Sequence, residues 1–180
     1  KEQKSSARNS LNEIGEEVKV YHDKIIDENK GTTLATILKA QRNIEVPEEI
    51  KDDENKRFKY YRDHYWDNFE LDNDVLIRVP ESMYRNKMET YLDKLHMQTP
   101  DSIKKGIETL VLSAKTNPET YKYVIWNLCL KYQTPKIMGQ DEVFIYLYDT
   151  YFETGEMDFW ANESLKKNLN SNGRKLNTKK

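Results

Sequence analysis

Apolar residues recur at helical spacing near the beginning of the chain. Five of them are separated by three, four, three and four positions, which predicts that they lie along one side of a helix from about Ser6 to Glu28. Lys30 and Gly31 favour the end of this helix, and Thr32 or Thr33 can cap a second one. The apolar positions are Leu11, Ile14, Val18, Tyr21 and Ile25 in the first helix, and Leu34, Ile37 and Leu38 in the second.

Charge without apolar periodicity follows in residues 45–57, which predicts a solvated connection. Beyond it, aromatic residues at helical spacing predict a third helix with one apolar face. The short stretch from Val75 to Val79 precedes Pro80, which disfavours helix before it, so we expect an extended connector there. The aromatic face of the third predicted helix carries Phe58, Tyr61, Tyr65 and Phe69.

Proline then divides the chain at regular intervals. Pro80, Pro100, Pro118 and Pro135 are 20, 18 and 17 residues apart, and each precedes or opens a segment with helical apolar spacing. Each interval therefore predicts a helix and a turn, and a further helix is predicted from Asp141 to about Phe152. The predicted core positions are Tyr84, Met88, Tyr91, Leu92, Leu95, Ile103, Ile107, Leu110, Val111, Ala114, Tyr121, Val124, Ile125, Leu128, Tyr132, Phe144, Leu147, Tyr148 and Tyr151.

Turn-forming residues are scarce, with six glycines and five prolines among 180 residues, which disfavours a β-sandwich or barrel. The sequence predicts an all-α protein, an irregular bundle of about seven or eight helices arranged as antiparallel hairpins and partly solenoid-like. We expect four parts along the chain. They are an N-terminal helical segment (1–44), the charged connection (45–57), a main helical bundle (58–161), and a C-terminal helix with a frayed tail (162–180), capped by Asn162, that leads to a further domain.

The charge balance excludes some classes of partner. Lys and Arg number 29 against 31 Asp and Glu, a net charge of −2, so no basic surface for nucleic acid is expected. No apolar run approaches the roughly 18 residues of a transmembrane helix. The glycines are isolated and fit no phosphate-binding loop, and the three histidines lie far apart without metal-ligand spacing. We therefore expect no cofactor and no bound metal.

The single cysteine, Cys129, lies in an apolar stretch without a basic residue in the preceding turn. Since a reactive thiol needs a lowered pKa, the sequence predicts a buried, inert side chain here. No residue of the chain is nominated as catalytic.

Acidic and aromatic residues are crowded together between positions 141 and 160. Carboxylates beside aromatic rings are typical of glycosidase and carbohydrate sites. The alternative is that the rings belong to the core, while acidic residues favour the positive end of a helix dipole. Both interpretations stay open from the residues alone. The candidate binding surface consists of Asp141, Glu142, Tyr148, Glu156, Asp158 and Trp160.

Several runs carry a resemblance to a known family. They are KYQTPKIMGQDEVF at 131–144, YFETG at 151–155, YWDNF at 65–69, LIRVP at 76–80, YLDKL at 91–95 and PDSI at 100–103. Together they resemble an uncharacterised helical domain of envelope lipoproteins from Gram-negative gut anaerobes, and the resemblance covers about residues 18–170.

The resemblance implies a middle domain, between a lipid-anchored amino-terminal region and a C-terminal thioredoxin-like domain of the AhpC/TSA or disulfide-reductase type. Redox chemistry would then belong to that covalently linked domain. The implied location is the periplasm or the outer-membrane-anchored cell envelope, with membrane contact only through a lipid anchor outside this chain.

We therefore expect a non-catalytic helical spacer or recognition domain with protein or peptide clients. The alternative is a glycan- or peptide-binding module, or a glycoside-acting enzyme that uses the acidic residues near 141–158.

Overall fold

The computed structural model describes residues 2–79 and 83–177, and the regular structure in these residues is helical, without a strand. The prediction of an all-α bundle is confirmed. A 3₁₀ turn at Glu48–Ile50 and a π-helical turn at Tyr148–Glu153 accompany the α-helices. The α-helices are α1 (Glu2–Glu28), α2 (Thr33–Ala40), α3 (Glu54–Asp63), α4 (Met83–Lys94), α5 (Pro100–Ala114), α6 (Pro118–Gln133), α7 (Asp141–Leu147) and α8 (Glu163–Asn177).

The chain forms two compact units. The first unit is Lys1–Glu70 and the second unit is Leu71–Lys180. The fourfold division predicted from composition, with its connection at 45–57, stays a prediction.

In the first unit, α1 contacts α2 across a short turn. Gly31 adopts a φ of 80°, a left-handed conformation that favours glycine, and Thr32 caps α2 by accepting a hydrogen bond from the Ala35 amide at 3.3 Å. The predicted helix ends are therefore confirmed. The apolar stripe of α1 stays largely open, since Leu11 is 70% and Tyr21 63% exposed.

The third predicted helix is shorter than its aromatic spacing indicates. Helix α3 ends at Asp63, so the prediction of one helical face reaching Phe69 is wrong. Tyr65 and Phe69 are buried in the turns that follow, where the ring of Trp66 contacts both, with centroids 5.0 and 5.6 Å away. The prediction failed because residues four positions apart can also be buried together in consecutive turns, so this spacing alone does not establish a helix. His64, which follows α3, bonds through Nδ1 to Asp67 at 2.7 Å within these turns.

The second unit begins with turns and not with the extended connector predicted at Val75–Val79. The amide of Leu76 donates to the carbonyl of Asn73, and that of Arg78 to the carbonyl of Val75, both at 3.1 Å. These turns bury Leu76, which the apolar spacing did not assign to a helix. Pro80 lies outside the described residues.

The core of the second unit is formed where α5 contacts α4, α6 and α7. Every core position predicted in α5 and α6 is buried, and the α4 positions and Leu95 are buried as well. Gly106 of α5 has a packing role, because a Cβ there would lie 2.9 Å from both His96 Nε2 and Leu92 Cδ2. Pro100 and Pro118 open α5 and α6, as the proline spacing predicts.

Helix α7 continues into the π-helical turn, which ends at Glu153 and is followed by Gly155 with a φ of 81°. Phe144, Leu147 and Tyr151 are buried as predicted, while Tyr148 is only half-buried. Asn162 caps α8 by accepting from the Leu165 amide at 2.9 Å, which confirms the predicted start. The helix continues to Asn177, and the end of the predicted frayed tail, 178–180, lies outside the described residues.

Candidate functional site

The residues of the predicted binding surface are distributed over three positions in the second unit. Asp141 and Glu142 occupy the first turn of α7, and Tyr148 opens the π-helical turn at the other end of that helix. Seven helical residues separate these ends by about 10 Å along the axis. Glu156, Asp158 and Trp160 follow Gly155 in a turn before α8. The acidic residues are therefore not gathered around one point.

Glu156 is bound to a lysine. Lys115 Nζ donates to Glu156 Oε1 at 2.5 Å, and this hydrogen bond is the main cause that lowers the pKa of the carboxyl group below its usual range. Tyr121 contributes a smaller lowering through its hydroxyl. A carboxyl group held ionised in this way is a poor general acid near neutral pH.

Asp158 is bound in the same manner by Lys166 of α8. The hydrogen bond that the Lys166 ammonium group donates to Asp158 is also the main cause that raises the pKa of Lys166. Asp158 lies beside the backbone of Gly155, with Oδ2 3.1 Å from the place a Cβ would take. Both carboxylates of this turn are thus paired with a lysine, Glu156 with the residue that follows α5 and Asp158 with a residue of α8.

The two aromatic residues of the predicted binding surface, Tyr148 and Trp160, both contact the ring of Phe152. The ring of Phe152 stacks against Tyr148 with centroids 6.3 Å apart, and contacts Trp160 edge-on at the same distance. Trp160 also contacts the ring of Trp126 at 5.9 Å, and its indole N–H points at the sulfur of Met157 at 3.2 Å. These contacts use the rings for packing, which supports the core interpretation of the aromatic residues.

Burial keeps the thiol of Cys129 inert. The side chain is 1% exposed on α6, and burial raises the pKa of the thiol to about 12, so almost no thiolate exists at neutral pH. The predicted burial is confirmed. Within the described residues, no group of His, Cys, Asp and Glu side chains is arranged to hold a metal ion, and no helix is long and apolar enough to span a bilayer.

Two open clefts in the first unit were missed by the sequence reasoning. The first cleft has a volume of about 610 Å³, and α1, the segment after α2 and Tyr60 contribute to its walls. It contains two ion pairs, Lys19–Glu45 and Arg42–Asp23, each between α1 and that segment. The pair with Lys19 is the main cause that lowers the pKa of the Glu45 carboxyl group. Charged side chains are therefore present but already paired.

The second cleft, of about 550 Å³, lies beside the first, and Ile44 lines both. Its walls are more apolar, with Val46, Phe58 and Tyr61 as the main contributors. The available signal was the short alternation of polar and apolar residues from 43 to 46, which the high charge of 45–57 obscured.

The comparisons with known proteins identify a family and nothing further. A family model described as a domain of unknown function (DUF5106) matches residues 1–174. No curated protein and no solved structure matches the chain.

Proposed function

The chain belongs to the DUF5106 family, and from that premise we propose that it is a non-catalytic helical recognition and spacer domain of a thioredoxin-like envelope lipoprotein. Its own task is to bind a client and to hold a covalently linked thioredoxin-like domain in position. The domain itself supplies no reagent.

The open clefts of the first unit carry this proposal. They combine half-exposed aromatic and aliphatic side chains with charged groups at the edges, the mixture by which binding sites gain affinity from apolar contact and specificity from polar contact. Phe58 is 46% and Tyr61 37% exposed, although both are large aromatic side chains, and α3 has no buried residue. Exposed aromatic side chains lining a cleft are typical of recognition surfaces.

The state of the ionisable groups in the second unit also supports a non-catalytic role. Glu156 and Asp158 are bound to lysines, and Cys129 is buried with its pKa raised to about 12. An acid–base pair or a nucleophile would instead need an accessible group with a pKa near neutrality.

The link to a thioredoxin-like domain, the periplasmic or outer-membrane-anchored location and the lipid anchor rest on the resemblance of the sequence runs described above. In this proposal the linked domain performs thiol–disulfide exchange, and protein or peptide clients reach it through the clefts. Sequencing the gene on both sides of the region that encodes this chain tests the link: a lipoprotein signal before it and a thioredoxin-like domain after it are expected.

An insulin-reduction assay tests the non-catalytic role. We expect dithiothreitol to reduce insulin no faster in the presence of the purified chain than in its absence, with and without the substitution Cys129→Ser. Hydrolysis of aryl glycosides is measured in parallel, with Glu156→Gln and Asp158→Asn as variants. Disulfide reduction by the chain that Cys129→Ser removes, or glycoside hydrolysis that either acidic substitution removes, would contradict the proposal.

A further inference from the structure

The segment 42–47, between α2 and the 3₁₀ turn, has the side-chain pattern of a β-strand. It runs without helix, turn or bend, and exposure alternates along it. The exposed residues are Gln41, Asn43 and Glu45. The residues between and directly after them, Arg42, Ile44 and Val46, are half-buried. A period of two is the signature of extended backbone, whose successive side chains point to opposite sides.

This strand-like segment has no partner strand. In the part of the chain that the structure describes, neither the N–H nor the C=O groups of residues 43–46 make a backbone hydrogen bond, and no side chain bonds to them. Backbone groups left in this way are a template for an additional strand. An extended peptide can satisfy them by main-chain hydrogen bonds, the mode of recognition known as β-augmentation.

The second cleft lies where the side chains of such a peptide would need a pocket. Ile44 and Val46, which alternate with the exposed residues, line it together with Phe58 and Tyr61 of α3. An aliphatic side chain of about the size of valine or leucine would bury the exposed parts of these rings. The cleft therefore suits an apolar residue of a bound strand.

The charged residues in and around this cleft indicate whether a bound peptide would be acidic or basic. Glu54 lines the cleft, is exposed and takes part in no ion pair among the described residues. The segment 45–57, which contains it, has six Asp and Glu residues against three Lys and Arg residues. The one cation that lines the cleft is Arg57, whose guanidinium donates to the carbonyl of Lys51 at 3.2 Å. The lining itself thus has one charge of each sign, and it is the excess of negative charge in segment 45–57 that is complementary to a basic peptide.

We infer that the segment 42–47 binds an extended basic peptide as a second strand, with an apolar side chain of that peptide seated against Phe58 and Tyr61. This inference rests on the proposed recognition function, since it names the client class and the site. It specifies that main-chain hydrogen bonds supply affinity, while the apolar pocket and the carboxylates supply selectivity.

The test uses a fluorescein-labelled peptide of alternating lysine and valine, seven residues long, and fluorescence anisotropy with the full chain. Two comparison peptides are the same sequence N-methylated at alternate backbone amides and its glutamate–valine counterpart. We expect both to bind at least about 10-fold more weakly than the lysine peptide. Affinity for the lysine peptide should also fall as salt rises from about 50 to about 300 mM.

Variants locate the site. Phe58→Ala should weaken binding about 10-fold, because it removes one wall of the pocket. Phe159→Ala is the matched control, since Phe159 is an aromatic residue of similar exposure (55%) in the second unit, and it should leave binding unchanged. Circular dichroism establishes that both variants keep their helices.

Amide hydrogen exchange measured by NMR tests the main-chain pairing directly. Exchange at alternate residues among 43–46 should slow when the peptide is added, and this measurement does not depend on any substitution. The inference is overturned if the lysine peptide does not bind, if the N-methylated peptide binds equally well, or if exchange slows elsewhere and not at 43–46. In the last case peptide recognition itself stands and only the site is wrong, whereas the insulin assay decides the non-catalytic role separately.

Discussion

Two buried tyrosines of the second unit differ in the hydrogen bonding of their hydroxyl groups, which a pair of substitutions can measure. Tyr84 and Tyr132 are each 1% exposed. The hydroxyl of Tyr84 donates to the backbone carbonyl of Leu71 at 2.6 Å, which fastens the turns before α4 to that helix. The hydroxyl of Tyr132 is buried without a hydrogen-bond partner among the described residues. Substitution by Phe removes only the hydroxyl in both cases.

The two substitutions should change the free energy of unfolding by different amounts. Tyr84→Phe removes a buried hydrogen bond with a net value of about 1 kcal/mol, and it leaves the Leu71 carbonyl without that donor, so the free energy of unfolding should fall by about 1–2 kcal/mol. Tyr132→Phe removes a buried hydroxyl whose desolvation nothing offsets, so the free energy of unfolding should stay within about 0.5 kcal/mol or rise. The free energies of unfolding of the two variants should therefore differ by at least about 0.5 kcal/mol, with Tyr84→Phe the less stable.

Urea unfolding followed by circular dichroism and by tryptophan fluorescence measures the difference. The two probes should give coincident transitions with unchanged slopes, which permits comparison of midpoints. Equal destabilisation by both substitutions, or no loss in Tyr84→Phe, would show that the hydrogen bond to Leu71 does not contribute as the geometry indicates.

Three further predictions follow from the same structure. Cys129 should not react with Ellman's reagent in the folded chain and should react stoichiometrically in guanidinium; rapid native reaction would contradict its burial. Gly155→Ala should lower the free energy of unfolding by about 1–2 kcal/mol, because its left-handed φ disfavours a Cβ, whereas no loss in urea unfolding would refute the strain. Burial raises the pKa of Tyr84, Tyr132 and Tyr151, so the unfolded chain releases these protons first. The free energy of unfolding should therefore not depend on these three tyrosines below about pH 10 and should decline above it. The slope of this decline with pH should be smaller in Tyr84→Phe.

The helices of the second unit could be predicted from the sequence because their signals are local. Pro100 and Pro118 each open a helix, and the apolar residues between them keep one helical period. Helix α1 was predicted equally well, but its exposed stripe was not, since a period states which residues share a face and not what covers that face.

The third helix shows where local signals are insufficient. The spacing of Phe58, Tyr61, Tyr65 and Phe69 fits one helix, yet the chain turns after Asp63 and separates the exposed pair from the buried pair. The sequence also could not show that Glu156 and Asp158 would meet Lys115 and Lys166, which lie 41 and 8 positions away along the chain.

What the sequence alone determined is the all-α class, most helix boundaries, the core of α5 and α6, and the burial of Cys129. Only the tertiary structure decided that the nominated carboxylates are bound to lysines, and that segment 42–47 lies unpaired beside a cleft lined by Phe58. The physical reason is range: capping, proline and apolar period act within a few residues, whereas ion pairs, clefts and unpaired backbone depend on segments that meet only when the chain has folded.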